Sequence, residues 1–216
     1  MECEYKMPRW GLSSIKNRLK RKVKDKIEDE VEDLADDLVA NITKLNKKIT
    51  GKMINEFDAY KEKWESIASD PIEVTFLFLI ACYNYIIDEK KGEMMSTLML
   101  AKTFLLKDLK SQTGYKLNPK GDGFKMDLIG RNHNIIKSYL GGNPDNGYEI
   151  DENNLTMHLV GKGIEGENAK IFIQSGGKDF STPIKYRKNS SGQWKIFSWG
   201  SIATGVKKTT KEAGDF

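Results

Sequence analysis

The sequence predicts an α+β fold: a long charged N-terminal helical region, then a small helical layer packed on a C-terminal four-stranded antiparallel sheet. Three observations predict it. Apolar residues recur at helical spacing over the first part of the chain. The uncharged run VTFLFLIACYNYII, from Val74 to Ile87, suits a buried core helix and is shorter than the roughly 20 residues that cross a bilayer. From Tyr148 onward, short segments alternate apolar and polar residues between turn signals, as half-buried strands do. The resulting boundaries are an amphipathic helical region over 1–66, an α+β domain over 67–210 and a flexible tail over 211–216.

In the first region the apolar positions are Ile15, Leu19, Val23, Ile27, Val31, Leu34, Leu38, Ile42, Leu45 and Ile49. Their mean step of about 3.8 exceeds the 3.5 of a left-handed heptad zipper, so a nearly straight helix, or two, is expected over 12–64. Ser13 or Ser14 would cap its start, and Gly51 would mark a break before KMINEFDAYKEKW. Its charges are segregated: a basic block from Lys16 to Lys26 precedes an acidic block from Glu28 to Asp37. Three readings suit this pattern: a solvated helix face, association with a partner or a second copy, or docking on an anionic membrane through residues 7–27. The contact residues would be Trp10, Ile15, Lys16, Leu19, Lys20, Val23, Ile27 and Val31.

In the second region, Asp70-Pro71 has the form of a helix start, and the helix runs through Ile87 to a stop at Gly92. EMMSTLMLAKTFLL reads as a further helix or a loop-helix pair, and GRNHNIIKSYLGG as a short helix closed by glycine. The third region supplies NLTMHLVG, NAKIFIQS, TPIKYRK and GQWKIFSW as successive strands, with NSSG as a turn between the last two. The tail KKTTKEAGDF reads as frayed.

The formal charge is only +4, so bulk charge does not imply a nucleic-acid partner. A set on the strands, Tyr186, Arg187, Lys188, Trp194 and Lys195, would stack a base beside cations if exposed, but packing is the simpler use of its aromatic residues. Cys3 and Cys82 make neither a disulfide framework nor a zinc site. The N-terminus lacks the apolar core of a signal peptide, and a cytoplasmic location is expected, peripheral to a membrane or within a larger assembly. His133 and His158 have no ligand-spaced partners, and GDG at 121–123 and NPDNG at 143–147 lack the ladder of a calcium loop. No catalytic, cofactor or metal residues are therefore assigned.

The stretch SGGKD, from Ser175 to Asp179, resembles the phosphate loop of the ATP pyrophosphatase family. That loop needs a helix after its glycines, and here Pro183 and an alternating strand follow instead. The glycines are expected to give a tight strand connection with positive φ. Tyr148, Ser175, Gly176, Gly177 and Asp179 remain as a polar surface site.

Three blocks, SYLGGNPDNGYEID, IFIQSGGKDFSTPIKYRK and GQWKIFSWGSIATGVKK, resemble a bacterial domain family of unknown function over about 70–210. The matching positions include Ser138, Tyr139, Gly141, Pro144, Asn146, Gly147 and Tyr148, then Ser175, Gly176, Gly177, Asp179, Pro183, Trp194, Gly205, Val206 and Lys207. Leu140 stands where that family has an aromatic residue, and DFSTPIK inserts residues before the proline and lacks the following arginine. The resemblance implies no activity. The sequence thus leads to a non-enzymatic binding or structural module engaging a protein partner or itself. Its alternatives are a peripheral membrane protein and an enzyme with a pocket near Tyr148, Ser175 and Asp179.

Overall fold

The computed structural model describes residues 41–214. The predicted contact residues from Trp10 to Val31 lie outside them. Among the described residues, five strands form an antiparallel sheet in the order β1-β4-β5-β6-β7: β1 (Thr43–Gly51), β4 (Leu155–Glu165), β5 (Asn168–Gln174), β6 (Thr182–Lys188) and β7 (Trp194–Ser198). The last four are the expected meander. The fifth is a correction. Residues 43–51 fall in the region expected to be helical, yet they pair with β4, Ile49 opposite Met157 and Gly51 opposite Leu155. The four-residue step from Leu45 to Ile49 also fits a strand, because both positions have the same parity. Lysines at 44, 47 and 48 suit a border strand. The opposite border is covered by chain: Ala101 N–H donates to Ile196 O at 2.8 Å, and Trp194 N–H to Ala68 O at 2.7 Å.

Among the described residues six helices accompany the sheet: α1 (Phe57–Ile67), α2 (Pro71–Ile87), α3 (Glu89–Thr97), α4 (Asp122–Arg131), α5 (Asn134–Lys137) and α6 (Thr210–Ala213). A small hairpin, β2 (Leu106–Lys107) and β3 (Tyr115–Lys116), lies between α3 and α4. The start of α2 is capped as expected, Asp70 Oδ1 accepting from Ile72 N–H at 2.8 Å with Pro71 in the first turn. Val74 to Tyr85 are buried, so the helix is apolar all round because it is covered all round. Its polar groups are paired: Thr75 Oγ1 meets Tyr186 Oη at 2.5 Å, and Asn84 Nδ2 donates to Ile54 O at 3.0 Å. Among the described residues no helix is long and apolar enough to cross a membrane.

Gly92 does not stop α2. The helix ends at Ile87, and Asp88 caps α3 through Lys91 N–H at 3.1 Å. Gly92 lies inside α3, where a Cβ would stand 2.2 Å from Tyr85 N, so it permits the two helices to touch. Part of the stretch expected to fray is helical, Thr210–Ala213. Thr209 and Glu212 form a capping box that starts α6, and Thr210 N–H donates to Pro144 O at 3.0 Å.

One face of the sheet carries the core: Ile49, Met157, Leu159, Ile171, Ile173, Ile184, Tyr186, Trp194 and Ile196 are buried. Trp199, beyond β7, is buried too, its Nε1–H donating to Asp122 Oδ1 at 2.8 Å and its ring edge-on to Phe78. Both tryptophans of the last block are thus packing residues, as is Tyr186, which removes the stacking platform. Cys82 is a buried thiol.

Candidate functional site

The three sequence blocks meet at one place. α5 ends in Lys137 and the chain turns through Gly141 (φ 113°), so that Gly142 N–H returns to Lys137 O at 3.0 Å. The next turn is tied by Asn143, whose Oδ1 accepts from Asp145 N–H at 2.9 Å and Asn146 N–H at 3.1 Å. It ends at Tyr148, a non-glycine residue at φ 60°, held there by Tyr148 N–H to Asn143 O at 2.9 Å. The chain leaving β5 lies against this turn, with Gly176 N–H donating to Ser138 O at 2.7 Å. The segment before α6 closes the third side: Lys207 N–H donates to Gly177 O at 3.0 Å, and Tyr148 Oη to Lys207 O at 2.7 Å.

Within this joint Ser175 is fully engaged. Gly177 N–H donates to Ser175 Oγ at 2.9 Å, Ser175 Oγ–H to Ser138 Oγ at 2.7 Å, and Ser138 Oγ–H to Ile135 O at 2.7 Å. Each hydroxyl both accepts and donates in a buried chain, an arrangement that strengthens every member. Among the described residues, the hydroxyl partners of the two serines are each other, Gly177 N–H and Ile135 O. Burial, with Glu212 nearby, raises the Tyr148 pKa and keeps the phenol neutral.

The glycine pair has a reason different from the expected one. Neither Gly176 nor Gly177 has positive φ. A Cβ on Gly176 would stand 2.3 Å from Gly142 O, and one on Gly177 would stand 2.5 Å from Tyr148 Oη and 2.9 Å from Val206 Cβ. They are glycines because two other segments pass where side chains would be.

Tyr148, Ser175, Gly176 and Gly177 lie at one joint, but Tyr148, Ser175 and Gly177 are buried there and do not form the expected polar surface. Asp179 lies at its exposed rim and pairs with Lys207. Three contributors are absent from the predicted set: Ser138, Lys207 and Lys178. All three stand in the quoted blocks, where Ser138 and Lys207 are matching positions and Lys178 is not. Lys178 Nζ donates to Ser201 O at 2.8 Å, Ile202 O at 3.2 Å and Thr204 Oγ1 at 2.8 Å, and lies 5.2 Å from the Tyr139 ring centroid. Burial lowers its pKa to about 8. Three acceptors for three N–H bonds make it a clamp on the 3-10 turn Gly200–Ala203.

His158 sits on the sheet face opposite the core, beside Lys48, and its pKa is lowered by burial and by that lysine. Among the described residues no group of three or more His, Cys, Asp or Glu is placed to hold a metal. A family model for a domain of unknown function matches residues 51–210. No curated protein and no solved structure matches the chain.

Proposed function

The chain belongs to this family, the domain of unknown function DUF6935, and from that premise we propose that it is a non-enzymatic binding module for another protein chain, a second copy included. The observation that carries the reading is that the polar cluster is spent on itself. Ser175 bonds to Ser138 and Tyr148 to Lys207 O, and the space beside the glycines is filled by the Gly142 backbone and by the Tyr148 and Val206 side chains. A catalytic site leaves its nucleophile, base and oxyanion donors facing a place where substrate fits. Here those donors face the protein.

Two features suit binding. The sheet face away from the core presents Lys44, Lys48, His158, Phe172, Pro183 and Arg187 in neighbouring rows, a positive surface with an apolar centre. The sequence of residues 16–37 separates its charges into a basic and an acidic block. Electrostatic matching of this kind directs encounter and fixes orientation.

The test is the mass of the full chain by light scattering, combined with crosslinking from a photoreactive residue at Phe172. The reading expects a mass above 24.6 kDa at low salt that falls to 24.6 kDa at high salt, or a specific crosslink to one partner. A small molecule whose thermal stabilisation of the protein disappears in Ser175→Ala or Asp179→Ala would overturn it.

A further inference from the structure

The hairpin formed by β2 and β3 points to a function apart from protein binding. Its strands are only two residues each, yet its connection is well built: Asp108 N–H donates to Gly114 O at 2.9 Å, Asp108 Oδ1 accepts from Lys110 N–H at 3.0 Å, and Gly114 supplies φ 74°. This turn holds Leu109 out from the protein with 98% of its surface exposed, and Leu106 on the adjoining strand is 41% exposed. A turn fixed by side-chain and backbone bonds presents the leucine by design of its geometry.

The segment itself is cationic, with the Glu93 carboxylate of α3 accepting from Leu117 N–H at 2.8 Å at its base. Residues 102–120 contain Lys102, Lys107, Lys110, Lys116 and Lys120 against one carboxylate, Asp108, and that carboxylate is 3.9 Å from Lys116 Nζ. All five lysines are exposed. One protruding leucine is too small for a stable protein interface, which covers about 800 Å² on each partner. It fits a lipid surface, where a single apolar side chain enters the acyl boundary while diffuse positive charge stays at the headgroups.

We propose that this hairpin docks the protein on an anionic bilayer, with Leu109 inserted and the lysines around it on the headgroups. The inference is independent of the protein-binding reading and stands or falls separately from it. The experiment is sedimentation of the full chain with phosphatidylcholine vesicles containing or lacking phosphatidylserine. Wild type is expected to bind the anionic vesicles, with binding weakened about tenfold by Leu109→Asp, from the loss of one inserted leucine. Lys107→Glu with Lys110→Glu is expected to weaken it at least as much. Lys16→Glu with Lys20→Glu leaves it nearly unchanged. A Leu109→Cys variant in a Cys3→Ser background, labelled with an environment-sensitive dye, should shift to the blue only on anionic vesicles. Failure of wild type to bind overturns the proposal. So does binding that survives the hairpin variants and is lost in the Lys16 and Lys20 variant, or binding with no change in dye emission.

Discussion

Replacing Gly176 by alanine tests the reason given for the glycine pair. The new Cβ would lie 2.3 Å from Gly142 O, whereas ordinary contact begins at 3.4 Å, so two backbone segments must separate by about 1 Å. They cannot do so freely, because Gly176 N–H is bonded to Ser138 O and Gly142 N–H to Lys137 O. Overpacking of this kind costs about 1–3 kcal/mol, and straining a buried hydrogen bond adds about 1 kcal/mol. The expected loss is therefore about 2–4 kcal/mol. Gly177→Ala should cost less, about 1–3 kcal/mol, because its obstacles are side chains, the Tyr148 hydroxyl at 2.5 Å and Val206 Cβ at 2.9 Å, in place of a backbone oxygen. Urea denaturation of the full chain gives both values if the m-value is unchanged. Gly176→Ala within 0.5 kcal/mol of wild type, or Gly177→Ala as the costlier change, would refute the reasoning.

Asp122 is buried and receives both Trp199 Nε1–H and Lys125 Nζ, so Asp122→Ala leaves a buried indole N–H unpaired and should cost about 1–3 kcal/mol, readable as a lowered unfolding midpoint. Lys178 has a pKa of about 8 when folded, lowered by burial from 10.5. Between those values the unfolded chain binds more protons, so this residue makes stability rise with pH across the window. Lys178→Met should reduce the rise between pH 7.5 and 9.5 in urea titrations, and an unchanged slope would contradict the assignment. Burial, with Asp122 nearby, raises the Cys82 pKa, so in a Cys3→Ser variant alkylation of Cys82 should proceed only as fast as global unfolding.

Much of the fold was legible in the sequence. Asp70-Pro71 fixed the start of α2, and period-two alternation located β4 to β7, because these signals are local. β1 was not legible. Leu45 and Ile49 satisfy helical and strand spacing alike, and its lysines are what a border strand carries as much as what a surface helix carries. Only pairing with β4, more than 100 residues away, decides between them. Gly92 shows the same limit: a glycine after an apolar run reads as a stop, while its role is to let Tyr85 of the neighbouring helix approach. At the candidate site the composition was readable and the purpose was not. SGGKD announces a turn, but its glycines are required by segments that arrive from residues 142–148 and 206–207.

Amide hydrogen exchange in the full chain distinguishes a fixed joint of the three blocks from an adaptable site. Gly176 N–H is bonded to Ser138 O, Gly177 N–H to Ser175 Oγ, and Lys207 N–H to Gly177 O. In a fixed joint these three amides exchange as slowly as those of Ile171 and Ile173 in β5, through global opening. Fast exchange of the three while the β4–β5 ladder stays protected would show a locally opening site and contradict the fixed joint.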